Sequence, residues 1–342
     1  MPHSHPGLGL LPHFGLAPSR LAPEHPLPGS PERCIERFAV EDEAGRVWML
    51  ERIPAAQARR REELGALLAA LARHAELAEL IPAYRPVTDF AQADAGPRFV
   101  LPWHGAGSAG GEPFAGPCAG HWQISPFVAG APLPRPDYLD HDWRGEAVAR
   151  AMLALQRAGE TLPHVPQPPQ PSLADFRDCL FAAVGRCAPE LLPRLAPVQE
   201  ALAELANVQQ AVPSVLAHGD LHPLNVIWAD DPARPLRGLI DWEFAGARPR
   251  LYDAANCVGC AGFEHPSGLA RGFVMGLVRT LREGGLPGPE LGLLPLFVIT
   301  TRLGWLSEWL RKKDADMLDM ELDYLDILLE ERENLAALWG EG

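Results

Sequence analysis

Lysine is almost missing from this chain. Its 342 residues contain only Lys312 and Lys313, both near the C-terminus. A cation that meets an anionic ligand anywhere else must therefore be arginine, which is planar, bidentate and always charged. Cysteine is sparse too: six are scattered over the whole length, which excludes a disulfide framework. Cys257 and Cys260 form one CxxC with no second pair, and a four-ligand zinc site requires more. There is no basic surplus. The formal charge of −14 argues against nucleic acid as a general partner, because backbone binding needs clustered Lys and Arg. The one dense basic run, Arg59 to Arg61, sits in a helical pattern and reads as a solvated helix face. Long apolar runs are also lacking: the best stretch, 291–306, is interrupted by Pro295 and Arg302, so no membrane partner is expected. The opening MPHSHPGLGLLPHFGLA has no basic region ahead of an apolar one and is broken by prolines, unlike a signal peptide. A cytoplasmic protein is the expectation, with its oligomeric state open.

What is present concentrates in VLAHGDLHPLNVIWADDPARPLRGLIDWEFA, residues 215–245. The apolar runs NVIW and GLID flank DDPARPLR, whose acidic residues and prolines favour a chain reversal. An antiparallel hairpin centred on Ala233 puts Asn225 opposite Asp241, the two being equidistant from that centre. Two oxygen ligands then arrive at one open end, with Asp220 in the loop that feeds it. Hard oxygen donors of this kind suit Mg²⁺, which keeps few protein ligands and fills its shell with water and phosphate oxygens.

HGDLHPLN has the Asp-to-Asn offset of the kinase catalytic loop H-R-D-x-x-x-x-N, with Gly219 in the arginine's place, and IDWE stands where D-F-G binds metal. With LYDAANCVG following, which is similar to a YDLA segment, the ordered set resembles the aminoglycoside phosphotransferase superfamily, whose members include choline kinases and a second type of homoserine kinase. The resemblance covers about residues 33–339. It implies an α+β, two-lobed, protein-kinase-like fold, with a small antiparallel-sheet lobe and a larger, mainly helical lobe. The corresponding division is an arm at 1–29, a nucleotide lobe at 30–127 and a catalytic lobe at 128–342.

Along the chain, 1–29 is rich in His, Pro and Gly and reads as a loosely ordered arm with at most one short helix near 8–16. CIERFAVEDEAGRVWMLERI reads as two strands around an EDEAG turn. AAQARRREELGALLAALARHAEL follows as an amphipathic helix with Leu64, Leu67, Leu68 and Leu71 along one stripe. Either Glu62 or Glu63 pairs with a strand cation there, or both face solvent. HGAGSAGGEP precedes no helix, so it reads as a surface loop rather than a phosphate cradle. HWQISPFVAG is a strand running into a Pro/Gly connection. Helical patterns occupy 143–158, then 173–206 in two segments, and the chain from Tyr252 onward; 163–172 is a stiff Pro-rich linker.

The resemblance also implies roles. ATP lies between the lobes with its adenine at the hinge, for which Gln123, Ser125 and Phe127 are the candidates. Mg²⁺ is held by Asn225 and Asp241. Asp220 is the catalytic residue, orienting an acceptor hydroxyl and taking its proton late. His218 braces the loop, and Asp253 is a structural carboxylate. Ser30, in the segment that would cover the phosphates, offers a hydroxyl or amide. The family's strand lysine falls on Glu51, so phosphate contact passes to Arg52, or to Arg37 or Arg46. The implied activity is ATP- and Mg-dependent phosphorylation of a small metabolite or amino-sugar-like alcohol. The acidic residue in the lysine's place leaves two alternatives open: a weak or inactive ligand-binding module, and a protein kinase.

Overall fold

The computed structural model describes residues 6–25, 27, 34–88, 96–104, 119–168 and 173–341. Contacts divide the chain into two units: Met1–Ala129 with Gly238–Glu243, and Gly130–Arg237 with Phe244–Gly342.

The first unit is built on a five-stranded antiparallel sheet. Its strands are β1 (Pro18–Leu21), β2 (Glu36–Asp42), β3 (Val47–Ile53), β4 (Leu101–Trp103) and β5 (Gly120–Pro126), in the order β1-β2-β3-β5-β4. β2 and β3 form the expected hairpin, closed by Asp42, whose Oδ1 accepts from Ala44 N and Arg46 N. Because side chains alternate along a strand, even and odd positions line opposite faces. The even face carries Val40, Trp48, Leu50, Trp122 and Ile124, and it is buried beneath Leu10, Leu11, Phe14 and Leu16. The segment expected to be a loose arm is therefore part of the core. Pro6–Phe14 is a 3-10 helix, and Pro18–Leu21 extends the sheet. Its four large apolar side chains outweigh the Pro/Gly composition, since burying each contributes roughly 1.5–3 kcal/mol.

The odd face carries Arg37, Glu51 and Gln123, in register across three strands. Helix α1 (Ala58–Leu71) buries the expected stripe of Leu64, Leu67, Leu68 and Leu71. Arg61 on this helix is also buried, so the basic run is not wholly a solvated face; Arg59 alone is widely exposed.

The second unit is mainly helical. Its helices are α2 (Asp142–Thr161), α3 (Leu173–Cys187), α4 (Leu192–Val208), α5 (Tyr252–Glu264), α6 (Gly272–Glu283), α7 (Gly288–Leu291), α8 (Leu294–Lys312), α9 (Ala315–Glu330) and α10 (Arg332–Glu341). Among the described residues no helix is long and apolar enough to cross a membrane. Strands β6 (Ser214–Ala217) and β9 (Gly246–Pro249) pair antiparallel, with Ala217 opposite Gly246. Strands β7 (Val226–Trp228) and β8 (Leu236–Leu239) form a second two-stranded sheet.

Candidate active site

The loop after β6 is shaped by one buried carboxylate. Asp253, in the first turn of α5, accepts from His218 N at 2.7 Å and from Gly219 N at 2.8 Å, one bond on each oxygen. Burial pushes its carboxyl up to about 6 against the pull of these two donors. Gly219 has φ +82°, and a Cβ there would sit 2.1 Å from the Phe244 carbonyl oxygen. A side chain is sterically excluded, which accounts for glycine at this position. His218 is fully buried and its Nδ1 accepts from Asp220 N at 3.3 Å.

Asp220 emerges from this brace between two amides. Asn225 Nδ2 donates to the Asp220 carbonyl at 2.7 Å and to its Oδ2 at 3.1 Å, while Asn256 Nδ2 reaches Oδ1 at 3.4 Å. With the Asn225 nitrogen committed to Asp220, the Asn225 side-chain oxygen is the atom left to face a cation. An amide oxygen is a hard donor of the kind Mg²⁺ accepts, and so is the carboxylate of the other candidate, Asp241. Asn256 was not anticipated. Its signal lay in LYDAAN: it is three residues beyond Asp253 on α5, a spacing that puts both on one helical face.

The hairpin register differs from expectation. Ala229 N donates to the Pro235 carbonyl at 2.7 Å, which centres the reversal on Pro232 rather than Ala233. β7 begins at Val226, and Asn225 ends a 3-10 turn over Pro223–Asn225. β8 ends at Leu239, short of Asp241. The two ligand candidates are thus placed by the turns that flank the strands and not by facing each other across a ladder.

Asp241 belongs to the first unit, through Gly238–Glu243. Its φ is +65°, a left-handed conformation uncommon for a non-glycine residue and most readily adopted by Asp and Asn. The segment is tied down on both sides: Leu239 N donates to Leu80 O at 2.9 Å, and the Trp242 indole donates to Leu239 O at 2.7 Å. Arg60 donates twice to the Glu243 carbonyl, at 3.0 and 3.2 Å. Arg61 pairs with Glu243 Oε1 at 2.8 Å and donates to Tyr84 Oη at 3.0 Å. Tyr84 and Glu243 raise the Arg61 pKa despite its burial, and Glu51 adds to that field. Of the two alternatives for Glu62 and Glu63, neither side chain pairs with a cation on a strand among the described residues: Glu62 is partly buried and pairs with Arg98 at 3.3 Å, and Glu63 is 44% exposed. Glu62 accepts from Phe99 N and Val100 N, and Glu63 pairs with Arg59 and Arg60.

Of the nucleotide candidates, Ser30 lies outside the described residues, as does nearly all of HGAGSAGGEP. Gln123 is fully buried and donates to Glu51 Oε2 at 2.7 Å, while Ser125 is buried opposite Met49. The Phe127 amide is engaged by Val47 O at 3.0 Å. Arg52 is on the even face. It pairs with Glu36 at 3.2 Å, donates to Ala119 O at 3.3 Å and lies over the Trp122 ring. The odd face at that level holds Glu51 and, opposite it on β2, Arg37.

The second unit also contains a cavity of about 120 Å³, lined in part by His222, Phe263, Glu264, Arg302 and Trp305. His222 joins it to the loop: its Nε2 is 3.9 Å from Asp220 Oδ1 and its ring meets Trp305 edge-on. Charges along the lining are paired. Arg302 donates to the buried Glu321 through Nε at 2.7 Å and also through Nη2, and Glu264 accepts from Arg135 at 2.9 Å and Tyr138 at 3.0 Å.

Comparison with known proteins agrees with this architecture. The amicoumacin kinase solved with AMP-PNP and Ca²⁺ superposes with a TM-score of 0.62 at 13% identity, over 94% of this chain and 92% of that one. The GDP complex of aminoglycoside 2'-phosphotransferase-IIIa gives 0.56 at 17% identity, over 96% and 97%. At such identities the likeness is one of fold: two-lobed, kinase-like and α+β. In sequence, the homoserine kinase of Afipia carboxidovorans is 30% identical over 202 residues, 53% of this chain and 59% of that protein. The chain thus spans less than two thirds of the length of the curated relatives it matches. The model of the phosphotransferase enzyme family matches residues 35–287. That span takes in the sheet of the first unit from β2 onward, the Asp253-braced loop and the Asp241 turn, and the chain belongs to the phosphotransferase enzyme family.

Proposed function

We propose that this chain transfers a phosphoryl group from ATP, with Mg²⁺, to the hydroxyl of a small metabolite. The observation that carries the reading is the Asp220 constellation, a carboxylate fixed by Asn225 and Asn256 in a loop pinned by Asp253. Phosphoryl transfer asks mainly for positioning and charge stabilisation, and a pre-held carboxylate supplies the first. Asp220 orients the acceptor hydroxyl and takes its proton as the bond to phosphorus forms. His218, buried and hydrogen-bonded within the loop, positions and does not react. Asn225 and Asp241 are the proposed metal ligands; the ion neutralises phosphate charge. Gln123, Ser125 and Phe127 belong to the strand and connection proposed to meet the base.

The cavity beside His222, about 120 Å³ and open to solvent on one side, is the place proposed for the acceptor's small polar end. Its aromatic walls and paired charges suit a neutral or ammonium-bearing alcohol. The acidic residues outside it add little: Glu243 is spent on Arg61, Asp314 caps α9, and Asp316 and Asp319 are exposed. The homoserine kinase relatives make an amino-acid alcohol the first compound to try. A cytoplasmic setting goes with the thiol state of Cys257 and Cys260, which are unpaired.

A second reading draws on Glu51, buried where a lysine would bind phosphate: a kinase-like module that binds without turnover. One experiment separates the two. Purified protein is titrated with Mg-ATP by calorimetry and then screened for ATP consumption against metabolite alcohols. Turnover that falls ~10²–10⁴-fold in Asp220→Asn, with Mg-ATP binding retained, is the expected result. Binding without turnover of any acceptor favours the module, and an unchanged kcat in Asp220→Asn removes Asp220 from the mechanism.

A further inference from the structure

Asp241 stands on neither a helix nor a strand. The chain enters the first unit at Gly238 and leaves it after Glu243, and β8 stops at Leu239. Asp241 itself is left-handed, with φ +65°. A non-glycine residue keeps such a conformation only where its surroundings over-determine it. The bonds that tie this turn down therefore decide where its carboxylate points.

At the entry the tie is to backbone, from Leu239 N to Leu80 O at 2.9 Å. At the exit it is to two consecutive arginines of α1. Arg60 donates through Nε and Nη2 to the Glu243 carbonyl, at 3.2 and 3.0 Å. Arg61 donates through Nη2 to Glu243 Oε1 at 2.8 Å and through Nη1 to Tyr84 Oη at 3.0 Å. The main chain and the side chain of Glu243 are thus gripped separately. Arg61 is 5% exposed and the Glu243 side chain 16%, so little water competes for these bonds. A buried ion pair gains little stability over apolar packing of similar volume, because both charges give up their hydration. What charged, directional hydrogen bonds add is geometry.

We infer that Arg60 and Arg61 of α1 are positioning residues for Asp241, and that their grip on Glu243 sets the affinity of the Asp241 turn for the metal ion. The inference rests on the phosphotransferase reading above, in which Asp241 is a metal ligand. Neither arginine touches the ion on this account. The basic run of α1 acts through the turn, and a displacement of α1 carries the turn with it.

The test uses the metal-free protein and its complex with AMP-PNP. Hydrogen exchange is read by mass spectrometry on peptides covering 239–245, Mn²⁺ affinity in the AMP-PNP complex by electron paramagnetic resonance, and stability by urea midpoints. The double replacement Arg61→Met with Glu243→Leu puts an apolar pair in place of the ion pair, keeping the packing and removing the directional bonds. It is expected to keep a midpoint close to wild type, to exchange faster over 239–245 without metal, and to raise the Mn²⁺ Kd about 10–100-fold. A merely structural role would not give that combination. Glu243→Gln keeps an oxygen for Arg61 Nη2 and is expected to lose less in both readouts. Arg60→Ala removes only the grip on the carbonyl; it is expected to move exchange and Mn²⁺ affinity the same way by smaller amounts, and it carries the test alone if the double variant does not fold. Asp241→Asn keeps a residue that tolerates left-handed backbone, and is expected to weaken Mn²⁺ binding with exchange unchanged. Wild-type Mn²⁺ affinity in the double variant and in Arg60→Ala, with Asp241→Asn impaired, overturns the positioning role and leaves the phosphotransferase reading intact. Wild-type Mn²⁺ affinity in Asp241→Asn, or failure of the wild type to bind Mn²⁺ with AMP-PNP, overturns the metal assignment and this inference with it.

Discussion

Replacing Gly219 by alanine tests how tightly the Asp220 loop is built. Two costs are separable. Alanine at φ +82° occupies left-handed backbone, at about 1–2 kcal/mol. The new Cβ would also lie 2.1 Å from the Phe244 carbonyl oxygen, far inside contact distance, so the loop must move by more than ~1 Å. That movement stretches the 2.8 Å bond from Gly219 N to Asp253, and a bond to a charged acceptor contributes ~1.5–3 kcal/mol. The sum, about 2.5–5 kcal/mol, is a large share of the 5–15 kcal/mol typical of folded domains but need not unfold the protein. Urea unfolding followed by tryptophan fluorescence measures the first consequence, and ATP consumption with the identified acceptor measures the second. Turnover should fall more than ~100-fold, because displacing Asp220 by about an ångström spoils its alignment. Gly285→Ala is the control: its φ is +97° and nothing lies within 4 Å of the new Cβ, so it carries the backbone cost alone. If both variants shift the midpoint equally, or if Gly219→Ala retains wild-type turnover, the argument from the Phe244 contact fails.

Two further predictions concern buried charge. Glu321 and Arg302 form a pair at 0% and 2% exposure, so Glu321→Ala should cost about 3–5 kcal/mol by stranding the guanidinium, whereas the double replacement Arg302→Met with Glu321→Leu should recover most of it in urea unfolding. Asp253 has its carboxyl raised from 3.8 to about 6, so the folded state binds the proton more tightly than the unfolded one. Its contribution to stability is present below the unfolded value and declines as the pH rises through about 6, by ~3 kcal/mol for a shift of this size. Unfolding curves between pH 4 and 7 should show that slope in wild type and lose it in Asp253→Asn; a slope that persists in the variant belongs to another group.

The parts of the site that were legible in the sequence are those whose causes are local. HGDLHPLN carries its own glycine for the tight approach to Phe244 and its own Asp–Asn spacing, and the structure adds the bond between Asn225 and Asp220. The strands around EDEAG were readable because Asp42 closes the turn within its own segment. What was not legible depends on partners far along the chain. Arg61 looked like part of a solvated run, and only Tyr84 and Glu243 turn it inward. The face of Arg52 follows from strand alternation, but that its side of the sheet is closed depends on Leu10 and Phe14. Composition misled at the arm, where proline and histidine drew the reading toward disorder although the leucines determine its packing. The hairpin centre slipped by one residue because the length of a Pro-containing reversal is set by which carbonyl captures Ala229 N.

The buried arm has a consequence for the order in which the protein takes shape. Leu10, Leu11 and Phe14 emerge from the ribosome early, while Trp122 and Ile124, which they cover, are made roughly a hundred residues later. At the usual ~5–20 residues per second, that delay is about 5–20 s. During this interval an apolar segment has only the β2–β3 hairpin to rest on, and β5, which completes its seat, does not yet exist. The nascent chain is then a substrate for chaperones that hold short hydrophobic stretches. Slow translation through 89–119 would lengthen that exposure without changing a single residue of the finished sheet.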